Sequence, residues 1–186
     1  MCDDLQTFHP TRKQPKRAVE TFANKLMGPE DYVDTPVQTE DFGAVVFRMG
    51  VRTRGCMTAS QVSAGRKNGF SIEVYGTRAS IAWNQERPDE LWVGHRDTGN
   101  EIFVKDPALL KAGARPFADL PGGHSEGYDD TFKQVFRRFY RSIGSSETPE
   151  YPQFVDGLRQ MVILNAVLES NHKRGWVDVP GLKTAK

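Results

Sequence analysis

Apolar and polar residues alternate through the middle of the chain, and the period then lengthens to that of a helix. Short apolar runs at residues 42–49, 56–63, 70–75, 79–83, 91–95 and 101–105 predict strands. They are punctuated by Gly55, Gly65, Asn68-Gly69, Gly76-Thr77, Pro88-Asp89 and Gly99-Asn100, short links that suit antiparallel neighbours and predict a meander. Residues 1–8 predict a further short strand, and residues 9–40, rich in Pro, Thr and charge, a long irregular connection. From Tyr128 the apolar positions fall at Phe132, Val135, Phe136, Phe139 and Ile143, predicting a helix over 126–143. A second helix is predicted over about 153–172, ended by Lys173, Arg174 and Gly175. A short extended piece is expected at 176–180. Strands followed by helices give the expected fold class: an α+β domain whose open-faced, predominantly antiparallel sheet carries helices on one face.

The faces of that sheet follow from period two. Phe70, Ile72 and Val74 point one way; Ser71, Glu73 and Tyr75 point the other. Ile81 and Trp83 share a face, and Leu91 and Val93 oppose Trp92. A wide face of apolar and aromatic residues interleaved with polar ones predicts burial against another subunit.

Length and composition narrow the class. The chain has 186 residues, 38% apolar and 26% charged, as expected of one globular domain. Its formal net charge of +1 gives no reason to expect nucleic acid or an anionic membrane as partner. Cys2 and Cys56 have no metal-ligand spacing and make no disulfide framework, which predicts a reduced, cytoplasmic setting. No Gly-x-Gly-x-x-Gly, phosphate loop, metal cluster or nucleophile elbow is found along the chain, so no catalytic, cofactor-binding or metal-binding residue is assigned.

The segment with the most chemistry is Ala118-Asp-Leu-Pro-Gly-Gly-His-Ser-Glu-Gly-Tyr128. Pro121, Gly122 and Gly123 forbid a helix there. Ser125 is the expected N-cap, with Glu126, Asp129 and Asp130 placing negative charge in the first turn. His124 therefore stands just outside a helix N-terminus, on a loop with room for a ligand. His95 and His172 are expected to be structural.

Three blocks resemble the C-terminal domain of Gfo/Idh/MocA-type oxidoreductases, the glucose–fructose oxidoreductase and inositol dehydrogenase relatives. They are Gln61 to Trp83, Leu120 to Tyr128 with its helix, and Phe154-Val-Asp-Gly-Leu158 leading to Glu169-Ser170 and Trp176-Val-Asp-Val-Pro180. The resemblance implies a complete enzyme with an N-terminal Rossmann domain that binds NAD or NADP. It implies a catalytic lysine in a Glu-Lys-Pro motif and an Asp-x-x-x-His motif, neither of which occurs in this chain. The chain is accordingly expected to be a single C-terminal domain, 1–186, without the cofactor domain and without tightly bound cofactor. The resemblance further implies that the open sheet face serves homo-oligomerisation, and that His124 and Tyr128 face the pocket for a sugar or polyol. Arg66, on a loop between strands, is the third candidate for substrate binding. Two readings stay open at this point: the substrate-binding and assembly domain of an NAD(P)-dependent dehydrogenase, and a non-catalytic binding or scaffold module.

Overall fold

The structure, a computed structural model, describes residues 1–19, 27–145 and 148–181. It consists of two compact units, one formed by Met1–Ala64 with Phe154–Lys186 and the other by Gly65–Gln153. Both are built from antiparallel strands and a helix, so the fold class is α+β, as the pattern predicts.

In the first unit β1 (Cys2–Gln6) pairs with β4 (Phe42–Met49), which pairs with β5 (Thr53–Ser60). The expected irregular connection holds a further antiparallel pair, β2 (Thr11–Pro15) with β3 (Tyr32–Pro36). This corrects the sequence reading: the pairing runs Thr11↔Pro36 to Pro15↔Tyr32, and its proline-flanked, charged residues carry no apolar alternation to reveal it. Helix α2 (Phe154–Lys173) packs on β1. Its last turns satisfy the strand's open edge: Ser170 Oγ accepts from the amide of Asp3 at 3.2 Å, and Asn171 Oδ1 from that of Leu5 at 3.2 Å. Ser170 is fully buried, and its hydroxyl also donates to the carbonyl of Gly175 at 2.7 Å. The predicted extended piece at 176–180 forms no strand, but the Val177 amide donates to the Met1 carbonyl at 2.9 Å.

The second unit contains the meander. Strands β6 (Ser71–Tyr75), β7 (Ala79–Asn84), β8 (Glu90–His95) and β9 (Glu101–Val104) pair in chain order. The register lines up Ile72, Trp83, Leu91 and Phe103 across all four strands, and Val74, Ile81 and Val93 beside them. One face is therefore apolar, as the alternation predicts, and Ile72, Val74, Ile81 and Phe103 on it are exposed. Helix α1 (Tyr128–Ser142) belongs to the same unit. Its buried positions are Gln134 and Arg138, whereas Phe132, Phe136 and Phe139 of its apolar stripe are exposed. The polar pair is held because Gln134 Nε2 donates to the Phe117 carbonyl at 3.1 Å and the Arg138 guanidinium stacks 3.8 Å over the Phe117 ring.

Candidate functional site

The loop that leads into α1 is fastened from below by a cluster of opposite charges. Lys105 follows the end of β9, Asp89 precedes β8, and Glu126 closes the loop. Lys105 Nζ lies 2.7 Å from Glu126 Oε2 and 3.4 Å from Asp89 Oδ1, and the Lys105 and Glu126 side chains are 13% and 7% exposed. Charges this far from water hold only when paired and hydrogen-bonded. Here they are. Glu126 Oε1 accepts from the amide of Asp119 at 2.9 Å, and Asp89 accepts from the amide of Glu126 at 3.5 Å. The lysine's third contact is the one that matters for the loop: Nζ donates to the carbonyl of His124 at 2.8 Å.

A second, more exposed set surrounds the first. Lys133 of α1 bridges Asp119, at 3.1 Å, and Asp130, at 2.6 Å, and Arg137 pairs with Asp119 at 2.9 Å. Asp130 also accepts from the amide of Gly127 at 2.8 Å, and so caps the helix. The N-cap is thus Gly127, not the expected Ser125. Ser125 is engaged elsewhere: its hydroxyl bonds the carboxylate of Asp89.

These contacts set the protonation states. Burial opposes the charge on Asp89, but hydrogen bonds from the Ser125 hydroxyl and the Glu126 amide, with the nearby Lys105, hold its carboxyl below the usual range. Burial likewise opposes charge on Glu126, and the bond from Lys105 with the Asp119 and Leu120 amides outweighs it. Lys105 is pushed up, because its bond to Glu126 and the charges of Asp89 and Glu126 exceed the cost of its burial. Asp119 is held far below the usual range by hydrogen bonds from Arg137 and Lys133.

Above this base the loop turns sharply. The His124 amide donates to the Pro121 carbonyl at 3.2 Å, with Gly123 in the left-handed region at φ 79°. His124 is exposed, and its Nδ1 is 3.4 Å from the Gly122 carbonyl. So the backbone of this residue is locked while its ring faces solvent. Tyr128, in the first turn of α1, is also exposed, and its ring packs edge-on against Phe132 with centroids 5.1 Å apart. His124 and Tyr128 thus flank one loop–helix junction. Arg66 is in the same unit but is paired with Glu86 at 3.8 Å, both side chains largely exposed, and it makes no hydrogen bond or ion pair with His124 or Tyr128.

The α1 N-terminus does not fit a dinucleotide. Its amide at Gly127 is taken by Asp130, and Asp89, Glu126 and Asp130 would repel a pyrophosphate. Among the described residues, no group of three or more His, Cys, Asp or Glu is placed to hold a metal ion. No helix among them is long and apolar enough to cross a membrane.

Residues 8–179 match the family model of the Gfo/Idh/MocA oxidoreductases, C-terminal alpha/beta domain. The chain belongs to the Gfo/Idh/MocA oxidoreductase family. It is 30% identical over 156 residues to a levoglucosan dehydrogenase of Pseudarthrobacter phenanthrenivorans, covering 78% of this chain and 37% of the relative. A levoglucosan dehydrogenase solved with NADH and L-sorbose superposes with a TM-score of 0.77 at 26% identity, over 97% of this chain and 44% of that one. An inositol dehydrogenase homologue from Azotobacter vinelandii, solved with NAD+, shares the fold with a TM-score of 0.72 at 22% identity, over 95% and 41%. The chain spans well under half the length of these Gfo/Idh/MocA relatives.

The sequence already singles out His124, because the Gly-Gly-His run is visible without coordinates, and the family resemblance adds Tyr128. Lys105 and Asp89 escape it. They are separated from Glu126 by 21 and 37 residues, and only the β8–β9 pairing and the turn of the loop bring the three together.

Proposed function

We propose that this chain is the substrate-binding and assembly part of an NAD(P)-dependent dehydrogenase that acts on a sugar or polyol. The observation that carries the reading is the exposed imidazole of His124 on a loop whose backbone is tied down by Lys105, in a chain of the Gfo/Idh/MocA family. A neutral polyhydroxylated substrate needs donors and acceptors held in fixed directions, and little net charge. The His124 ring supplies a donor and an acceptor, and the Tyr128 hydroxyl supplies a second such group. Arg66 is the third, a donor from the β5–β6 connection. Their role is to bind and orient the substrate's hydroxyls. NAD or NADP belongs to a Rossmann domain of the complete protein, a reading supported by the α1 N-terminus, whose Gly127 amide is already taken by Asp130. The relatives solved with NADH or NAD+ support a nicotinamide cofactor for the complete enzyme.

Assembly is assigned to the apolar face of the β6–β9 sheet, where Ile72, Val74, Ile81 and Phe103 are exposed on one side. A second copy of the chain covering that face accounts for so many exposed apolar side chains.

The test is kinetic. In the complete enzyme, His124→Ala is expected to lower kcat/KM for a sugar or polyol about threefold to tenfold, the value of one hydrogen bond to a neutral hydroxyl. The melting temperature should stay near that of the parent protein. A large drop in melting temperature with unchanged kinetics makes His124 a structural residue and removes the reading.

A further inference from the structure

Lys105 and Asp89 are the residues just outside two paired strand ends. Glu90 opens β8 and pairs with Val104, which closes β9. The Lys105 amide then donates to the Asp89 carbonyl at 2.7 Å, so the ladder continues through the pair. From this rigid base the two side chains reach three consecutive residues of the loop. Lys105 Nζ donates to the His124 carbonyl at 2.8 Å. The Asp89 carboxylate accepts from the Ser125 hydroxyl and, at 3.5 Å, from the Glu126 amide. Lys105 also closes on the Glu126 carboxylate at 2.7 Å.

Neither anchor is free to meet a substrate. An ammonium has three N–H donors, and those of Lys105 have three acceptors: the His124 carbonyl, Glu126 and Asp89. Both anchoring side chains are mostly buried, whereas His124 is exposed. Charge balance explains the two carboxylates on Lys105 but not the third contact. A carbonyl on an exposed loop is satisfied by water, so folding does not require it. Its effect is directional. The peptide group after His124 is held by Lys105, and the one before it by the bond from the His124 amide to the Pro121 carbonyl at 3.2 Å. With both flanking peptide planes held, the direction of the His124 Cα–Cβ bond is set, and the ring keeps only its own two torsions.

We infer that Lys105 and Asp89 are positioning residues for the sugar or polyol, acting on it only through the His124 ring that they aim. The inference rests on the substrate-binding role proposed above for His124. A hydrogen bond from a ring already aimed costs the substrate less ordering than one from a loop that must first settle. This sets a bound. An effect that passes through one ring cannot exceed the loss of that ring. Lys105→Met should therefore lower kcat/KM by no more than His124→Ala does, and should change nothing further once His124 is alanine.

The experiment is a double-mutant cycle in the complete enzyme, with levoglucosan, inositol and sorbitol tried as probes and the one turned over fastest used throughout. Lys105→Met is expected to lower kcat/KM by up to the threefold to tenfold loss of His124→Ala, and the double variant to match His124→Ala alone. Amide hydrogen exchange is read on the same proteins. In Lys105→Met it should quicken at residues 122–127 and stay as in the parent across β6 and β7. If Lys105→Met does not fold, Ser125→Ala takes its place: it removes the hydroxyl from Asp89 at an exposed position, and its loss of about twofold should likewise vanish beside His124→Ala. Additive losses overturn the inference, because the anchor then acts by a route that bypasses His124. So does an unchanged kcat/KM in a folded Lys105→Met while His124→Ala is impaired, and so does unchanged exchange at 122–127. An unchanged kcat/KM in His124→Ala is a different failure: it removes the role proposed for His124, and the inference with it.

Discussion

Replacing Lys105 by Met tests whether the buried charge cluster fastens the loop. The substitution keeps the side chain's length and removes the charge that pairs with Glu126 at 2.7 Å and Asp89 at 3.4 Å. Asp89 then loses its cation, and Glu126 keeps only the more distant and more exposed Lys133, 3.7 Å away. Removing one partner from a buried pair costs about 3–5 kcal/mol. Asp89 is 16% exposed and retains its bonds to Ser125 and the Glu126 amide, so part of that penalty is relieved. A loss of roughly 2–3 kcal/mol at neutral pH is expected. With a urea m-value of about 1–3 kcal/mol/M, the unfolding midpoint should fall by roughly 0.7–3 M. The pH dependence identifies the cause. In the parent chain the folded-state pKa values of Asp89 and Glu126 lie below their unfolded ones. Their contribution is therefore complete above about pH 5 and is lost as pH falls through the folded values. Lys105 is raised, so its contribution is complete below about pH 10 and is lost as pH climbs past its folded value. In Lys105→Met the two carboxylates, stripped of their nearest cation, bind protons more readily. The gap between parent and variant should therefore narrow as pH falls from 7 to 4. Urea unfolding followed by circular dichroism across that range is the assay. Equal stability at pH 7, or a gap that does not change with pH, refutes the reasoning.

Other outcomes follow from single contacts. Ser170→Ala leaves the Asp3 amide and the Gly175 carbonyl without their shared hydroxyl, and should cost about 1–3 kcal/mol in urea unfolding. Gly123→Ala meets no atom within 4 Å, so its cost is conformational only, about 1 kcal/mol for a left-handed residue at φ 79°. Conversely, Arg174 ends α2 at φ 50°, and Arg174→Gly should raise the melting temperature of the chain by a few degrees. Finally, Ile81→Lys puts a charge on the apolar sheet face, and sedimentation should show the parent as a dimer or larger and the variant as a monomer. A parent chain that is monomeric at micromolar concentration removes the assembly role.

Much of the fold can be read from the order of residues because its signals are local. Alternation at 70–75 and 79–83 locates β6 and β7, and Gly76-Thr77 marks the turn between them. The glycines at 122 and 123 announce the loop, and the 3.6 period beyond Tyr128 announces α1. The β2–β3 pair is not legible, since charged and proline-flanked strands lack the alternation that burial on one face imposes.

By itself, the sequence determined the strands of the meander and the two helices, that one sheet face is apolar, and that a histidine stands at the mouth of α1. Those properties depend on neighbours a few residues apart. The tertiary structure alone decided that Lys105 reaches the backbone of His124, and that Ser170 and Asn171 close the edge of β1. It also decided that α1 buries Gln134 and Arg138 and leaves its aromatic stripe exposed. Each of these is a contact between residues far apart in the chain. Local periodicity says which side chains share a face of α1; which face the rest of the unit covers depends on where Phe117 and Asp119 lie when the chain has closed.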